Sequence, residues 1–197
     1  MNDKLQQKIT RFVSIIFIPP VLTVLSFLYL ALKFESDSIK SSYTIIIAVL
    51  FGFILQIASF IYFRKKGLLS DVDAKIKNER TLPFIASLLI FTLGFILLLT
   101  LNVSIISIAF WFCYISNTFL VILINKYLKI SIHAMGVSGP LALFVFLLGI
   151  NGLVFLPILF AVGWSRIKLK VHSLIEVIAG VIFGFISVYL QLFLFLN

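Results

Sequence analysis

The chain has 197 residues, 62% of them hydrophobic and 12% charged, with a mean hydropathy of +1.21. That composition excludes an ordinary soluble domain and points to an all-α, polytopic transmembrane helical bundle forming a single domain over residues 1–197. The formal net charge of +9 is segregated between apolar runs, so it speaks to topology and lipid headgroups and gives no reason to expect a nucleic-acid partner.

The N-terminus, Met1-Asn2-Asp3-Lys4, is polar, and the long apolar run behind it has no small-residue cleavage site, so no removable signal peptide is expected. A first span is expected from about Ile9 to Leu32, kinked by Pro19-Pro20. A polar turn, Lys33 to Ser42, carries Glu35 and Asp37. The second span covers about Tyr43 to Phe63 and ends in Arg64-Lys65-Lys66-Gly67. The longest polar stretch, Ser70 to Pro83, precedes a third span reaching about Leu101. Asn102-Val103-Ser104 turns the chain into a fourth span, reaching about Ile124 and holding the lone cysteine, Cys113, which has no partner for an internal disulfide.

Asn125 to Lys129 leads into Ser131-Ile132-His133. From Ala134 to Trp164 the chain is apolar except for Asn151-Gly152, which is too long for one span of roughly 20 residues and short for two. Asn-Gly is a strong turn signal, so this run is read as two short helices, the second from about Leu153 to Trp164. A last span is expected from about Val171 to Phe195, giving six to seven spans. With seven, the N-terminus and the three polar connections at Arg64–Arg80, Asn125–His133 and Trp164–Lys170 all fall on one side. Of the 16 Lys and Arg, only Lys33 and Lys40 fall on the other. By the positive-inside rule the basic side is cytoplasmic, as in a multi-pass protein of a cell's inner membrane.

Between the last two spans lies Ser165-Arg166-Ile167-Lys168-Leu169-Lys170-Val171-His172-Ser173-Leu174-Ile175-Glu176. On a helix, His172 and Glu176 share a face. A carboxylate beside an imidazole fixes its tautomer and raises its basicity, which suits a nucleophile or a general base. The planar fork of Arg166 suits phosphate oxygens. The other histidine, His133, sits in the preceding polar island. Histidines at membrane–water boundaries are ordinarily interfacial polar residues; the Ser-Arg before His172, the Glu after it and the Ser before His133 favour a site. Lys168 and Lys170 read as topology charges.

These residues resemble the type-2 phosphatidic acid phosphatase superfamily, membrane enzymes that share a fold with vanadium haloperoxidases. Its third signature is Ser-Arg, a gap of five, His, a gap of three, Asp. Ser165-Arg166, His172 and Glu176 match that spacing, with Glu for Asp. Its second is Pro-Ser-Gly-His, of which Ile130-Ser131-Ile132-His133 keeps the Ser and the His. Its first is Lys, a gap of six, Arg-Pro; with Arg80 as that Arg, the Lys position holds Asp73 and the proline falls at Pro83.

The resemblance implies hydrolysis of a lipid phosphate or diphosphate, phosphatidate-like or prenyl, through a phosphohistidine and without metal or cofactor. His172 would be the nucleophile, Glu176 its orienting partner and His133 the acid for the leaving oxygen. Arg166 and Arg80 would bind the phosphoryl oxygens, with Lys77, Lys129 and Ser131 assisting. Two alternatives use the same scaffold: a phosphotransferase passing phosphoryl to an alcohol, and an inactive membrane scaffold or lipid carrier. A fourth reading takes Asp71 and Asp73 as a metal-diphosphate site like that of intramembrane prenyltransferases, which needs a second acidic cluster and more spans than this sequence offers.

Overall fold

The computed structural model describes residues 3–197. Among these the chain is all-α. Five helices are long and apolar enough to cross a membrane, or six if a bent pair at the N-terminus counts as one span. The chain divides into two compact units, one of Met1–Leu22 with Ile130–Phe193 and the other of Thr23–Lys129 with Leu194–Asn197.

The N-terminal segment departs from the sequence expectation. Helix α1, Asp3–Ile16, starts well before Ile9, and it is bent by 47° from α2, Pro19–Phe34. Pro19 and Pro20 follow directly on this bend. They open α2, where the first turn has no N–H to lose and a fixed φ helps. In α1, Thr10 and Ser14 are buried one turn apart, while Leu5, Phe12 and Ile15 are exposed and Lys4, Lys8 and Arg11 form a cationic row between these faces.

In the first unit, α7 (Ile132–Leu148) and α8 (Leu156–Lys168) form a hairpin through a 3₁₀ turn at Gly149–Phe155. Gly149 has φ +59°, and a Cβ on Gly152 would meet the Phe144 carbonyl at 2.5 Å. The Asn151-Gly152 region therefore turns the chain as expected, but the following helix begins at Leu156 and runs on to Lys168. Ser165 and Arg166 consequently lie inside α8 and not in a turn. Leu22, Val137, Leu141, Leu159 and Val162 make the core here. The last helix, α9 (Leu174–Leu196), starts three residues later than expected, which leaves His172 just ahead of it.

In the second unit a continuous helix runs over Ser38–Lys65. It comprises α3 (Ser38–Ile47), a π-helical stretch Ala48–Ile54, and α4 (Leu55–Lys65). Gln56 Nε2 donates to the Phe51 carbonyl (3.3 Å) within that widened turn. Helices α5 (Thr81–Thr100) and α6 (Ile105–Ile124) pack together, with Trp111 fully buried and its Nε1 donating to the Phe91 carbonyl (2.8 Å). Cys113 is buried. Glu35 fastens this unit. Its carboxylate accepts from Thr44 Oγ1, Ser104 N, Ser104 Oγ and Ser107 Oγ at 2.8–2.9 Å, which supplies the cap that Ser104 does not give α6 itself.

Candidate active site

The site is built on the way α8 ends. Leu169 caps the helix and Lys170 takes the left-handed conformation, φ 53°. Lys170 N–H donates to Ile167 O (2.9 Å) and Val171 N–H to Arg166 O (3.2 Å), the paired bonds of a Schellman turn. His172 N–H also donates to Arg166 O (3.3 Å). This gives the Arg-to-His spacing a mechanical reason. Five intervening residues are what the last turn, the cap and the reversal use, and the reversal returns the His172 backbone to the Arg166 carbonyl.

Ser173 then starts α9, its Oγ accepting from Glu176 N–H (3.3 Å). A Ser followed three residues later by Glu is the capping-box pattern, in which the Glu side chain ordinarily reaches back to the cap residue's own N–H. Here the Glu176 carboxylate meets the imidazole instead: Oε2 lies 2.6 Å from His172 Nδ1. The pair therefore forms across a helix start and not along one helix face. His172 is 6% exposed, and its side chain is more enclosed than that of Glu176. An ionised carboxylate only accepts, so it orients the ring with Nδ1 as the donor, and in the neutral imidazole Nε2 is then the basic nitrogen.

Arg166 is 1% exposed, and its Nη1 donates to Ser14 Oγ on α1 (2.6 Å). Burying a guanidinium costs several kcal/mol before its donors are satisfied. Ser14 takes one donor and fixes where the fork lies. Sequence reasoning missed Ser14. It sits one turn after Thr10 among apolar residues, and its partner is 152 residues away.

The second histidine arrives through backbone contacts. Ser131 is the N-cap of α7, its Oγ accepting from Ala134 N–H (3.3 Å), and its own N–H donates to the Glu176 carbonyl (3.0 Å). A Cβ on Gly180 would meet the Ser131 carbonyl at 2.5 Å, so only glycine allows this approach of α9 to the start of α7. His133, half-buried in the first turn of α7, thus sits at the same end of this unit as His172 and Glu176. Ser131 itself is fully buried, with N–H and hydroxyl both engaged. Its position makes it a lock between α7 and α9.

The remaining expected ligands, Lys77, Arg80 and Lys129, belong to the second unit, where the polar loop is organised around its own backbone. Asp71 accepts from Asp73 N–H (2.7 Å) and Lys75 N–H (3.1 Å). Glu79 accepts from Ser70 N–H and Oγ, both at 2.9 Å. Buried Arg80 donates through Nε to the Ala74 carbonyl (2.6 Å), Ala74 having φ 46°. Lys77 Nζ donates to the Lys126 carbonyl, and Asn125 Nδ2 to the Lys77 carbonyl, both at 2.9 Å. Lys77 therefore closes the C-terminal end of α6. Lys129 is half-buried at the edge of this unit.

Comparison with protein-family models, with curated proteins and with solved structures finds no match to this chain. The geometry stands alone. A buried imidazole oriented by a carboxylate, its backbone N–H held on the carbonyl of a buried arginine, can perform nucleophilic or general-base chemistry on an anionic group.

Proposed function

We propose that the protein is an integral membrane lipid phosphatase that hydrolyses a phosphomonoester or diphosphate at a lipid headgroup through a phosphohistidine. The observation that carries this reading is the 2.6 Å contact of Glu176 Oε2 with His172 Nδ1, on a turn whose backbone is tied to the carbonyl of buried Arg166.

In the first step His172 Nε2 attacks phosphorus and the bond from phosphorus to the leaving oxygen breaks. That oxygen takes a proton from His133. In the second, water attacks the phosphohistidine, His133 accepts its proton, and inorganic phosphate leaves with His172 restored. Glu176 holds the Nδ1 proton throughout and stabilises positive charge on the ring. Arg166 compensates the equatorial oxygens, which in phosphoryl transfer carry most of the charge to be stabilised.

The test is phosphate release by the purified protein from phosphatidate, phosphatidylglycerophosphate and a prenyl diphosphate. The reading expects release from at least one and complete loss in His172→Ala with the fold retained. Release that survives His172→Ala overturns it. Transfer to an added alcohol without release moves the same site to the phosphotransferase class.

The proposal places this site at the cytoplasmic face of a seven-span bundle, supported by the five basic residues on α1 and after Arg166. In a Cys113→Ala background, an impermeant thiol reagent applied to intact cells is expected to label Ile150→Cys, at the α7–α8 turn, and not Lys168→Cys. The opposite pattern reverses the orientation.

A further inference from the structure

Beside α1 and the end of α8 lies a groove of about 830 Å³ that contains none of His133, His172, Glu176 or Arg166. Its cations are Lys4, Lys8 and Arg11 from α1 and Lys168 and Lys170 from the turn that ends α8. The α1 cations recur at helical spacing, so they form one row along the helix. Lys8, Lys168 and Lys170 are exposed.

Apolar surface adjoins this row. Phe12, 64% exposed, and Ile15, 58% exposed, line the same groove, and Leu5 continues the apolar stripe on α1. The two faces are held in register because α1 packs on α8, with Ser14 Oγ accepting from Arg166 Nη1 on the buried side of the helix. Five cations converging from two elements make a locally positive field, and a soluble polyanion would leave Phe12 and Ile15 in water. An occupant with phosphate at one end and hydrocarbon at the other satisfies both faces at once.

We propose that this groove is a binding site for an anionic phospholipid, with the headgroup phosphate on Lys8, Lys168 and Lys170 and the acyl chain along Phe12 and Ile15. The site does not depend on the chemistry assigned to His172. It gives Lys168 and Lys170 a ligand in addition to their effect on topology. Because Lys170 is the left-handed residue of the turn that carries His172, the bound lipid and the catalytic turn share one short segment.

The experiment is native mass spectrometry of the full chain released from mixed micelles holding equal phosphatidylglycerol and phosphatidylcholine. A first titration with inorganic phosphate separates a lipid site from a free-phosphate site. The wild type is expected to retain phosphatidylglycerol selectively, with inorganic phosphate a poor competitor. Lys8→Gln/Lys168→Gln/Lys170→Gln, all exposed positions, is expected to lower that preference on the order of tenfold or more. Lys33→Gln/Lys40→Gln is expected to leave it unchanged. Equal loss in the two variants, no loss in the triple variant, or displacement by inorganic phosphate at comparable concentration overturns the proposal. Phosphate release measured on the same samples keeps its outcome separate from that of the phosphatase reading.

Discussion

Two polar connections in this protein have similar composition and opposite construction. Ser70–Arg80 and Ser165–Glu176 each hold an arginine, a glutamate, lysines and a serine. In the first, four charged side chains are engaged with backbone: Asp71 with the N–H groups of Asp73 and Lys75, Glu79 with Ser70, Arg80 with Ala74 O and Lys77 with Lys126 O. In the second, the backbone is closed by its own Schellman turn and by the Ser173 cap, and the Glu176 carboxylate meets an imidazole. A charged side chain that completes a loop is a fastener. One held by a loop already complete is available for chemistry.

That contrast is sharpest at Glu176. Glu176→Gln keeps the shape but offers His172 an amide that can donate as well as accept, which permits the wrong tautomer. Turnover is expected to fall about 10²–10⁴-fold, with the melting temperature little changed. A merely structural glutamate would show the reverse, a large loss of stability with turnover per folded molecule intact.

His133 separates next. As the acid for the leaving oxygen it is expected to matter about 10²–10⁴-fold for a lipid alkyl phosphate. An activated aryl phosphate, whose leaving group needs little protonation, is expected to be largely spared in His133→Ala. Equal loss on both substrates removes the division of labour between the histidines.

The fastener loop gives smaller effects of another kind. Glu79→Ala removes the acceptor of two exposed hydrogen bonds and is expected to cost about 0.5–1.5 kcal/mol in a denaturation series. Lys77→Met is expected to lower stability without raising KM. A KM that rises severalfold for Lys77→Met would return that loop to the chemistry and break the contrast.

The smallest effect belongs to Asp37, the N-cap of α3. Its Oδ1 accepts from Lys40 N–H (2.8 Å), and that bond holds its carboxyl below the ordinary carboxylate value. Because the folded-state value is the lower one, the cap's contribution is present at neutral pH and is lost as pH falls through it. Asp37→Asn is expected to flatten the acid limb of a stability–pH curve slightly and leave its neutral plateau nearly unchanged.

The sequence made the His172–Glu176 pairing legible because its spacing encodes local geometry: a helix end, a reversal and a cap use a fixed number of residues. It led to the right contact by the wrong route, since the pair spans a cap and not one helix face. Asn151-Gly152 likewise announced its turn, although the 3₁₀ stretch from Gly149 to Phe155 moves the start of α8 to Leu156. The helix at the beginning of the chain starts earlier than the expected span because Lys4, Lys8 and Arg11 dilute the hydropathy of α1, while the apolar positions between them still support an amphipathic helix. Ser14 and Gly180 were illegible for a different reason. One is a serine in a helix and the other a glycine in a span, and each acquires its role from a residue far away in sequence.

The central claim is that His172 carries the phosphoryl group. A lipid phosphate labelled with ³²P, mixed with the protein and quenched within milliseconds in alkali, tests it directly, because a phosphoimidazole survives base and is lost in acid. Peptide mapping is expected to find base-stable label on His172, absent in His172→Ala and reduced in Glu176→Gln. Turnover without any base-stable label, or label on a residue other than His172, would contradict the account.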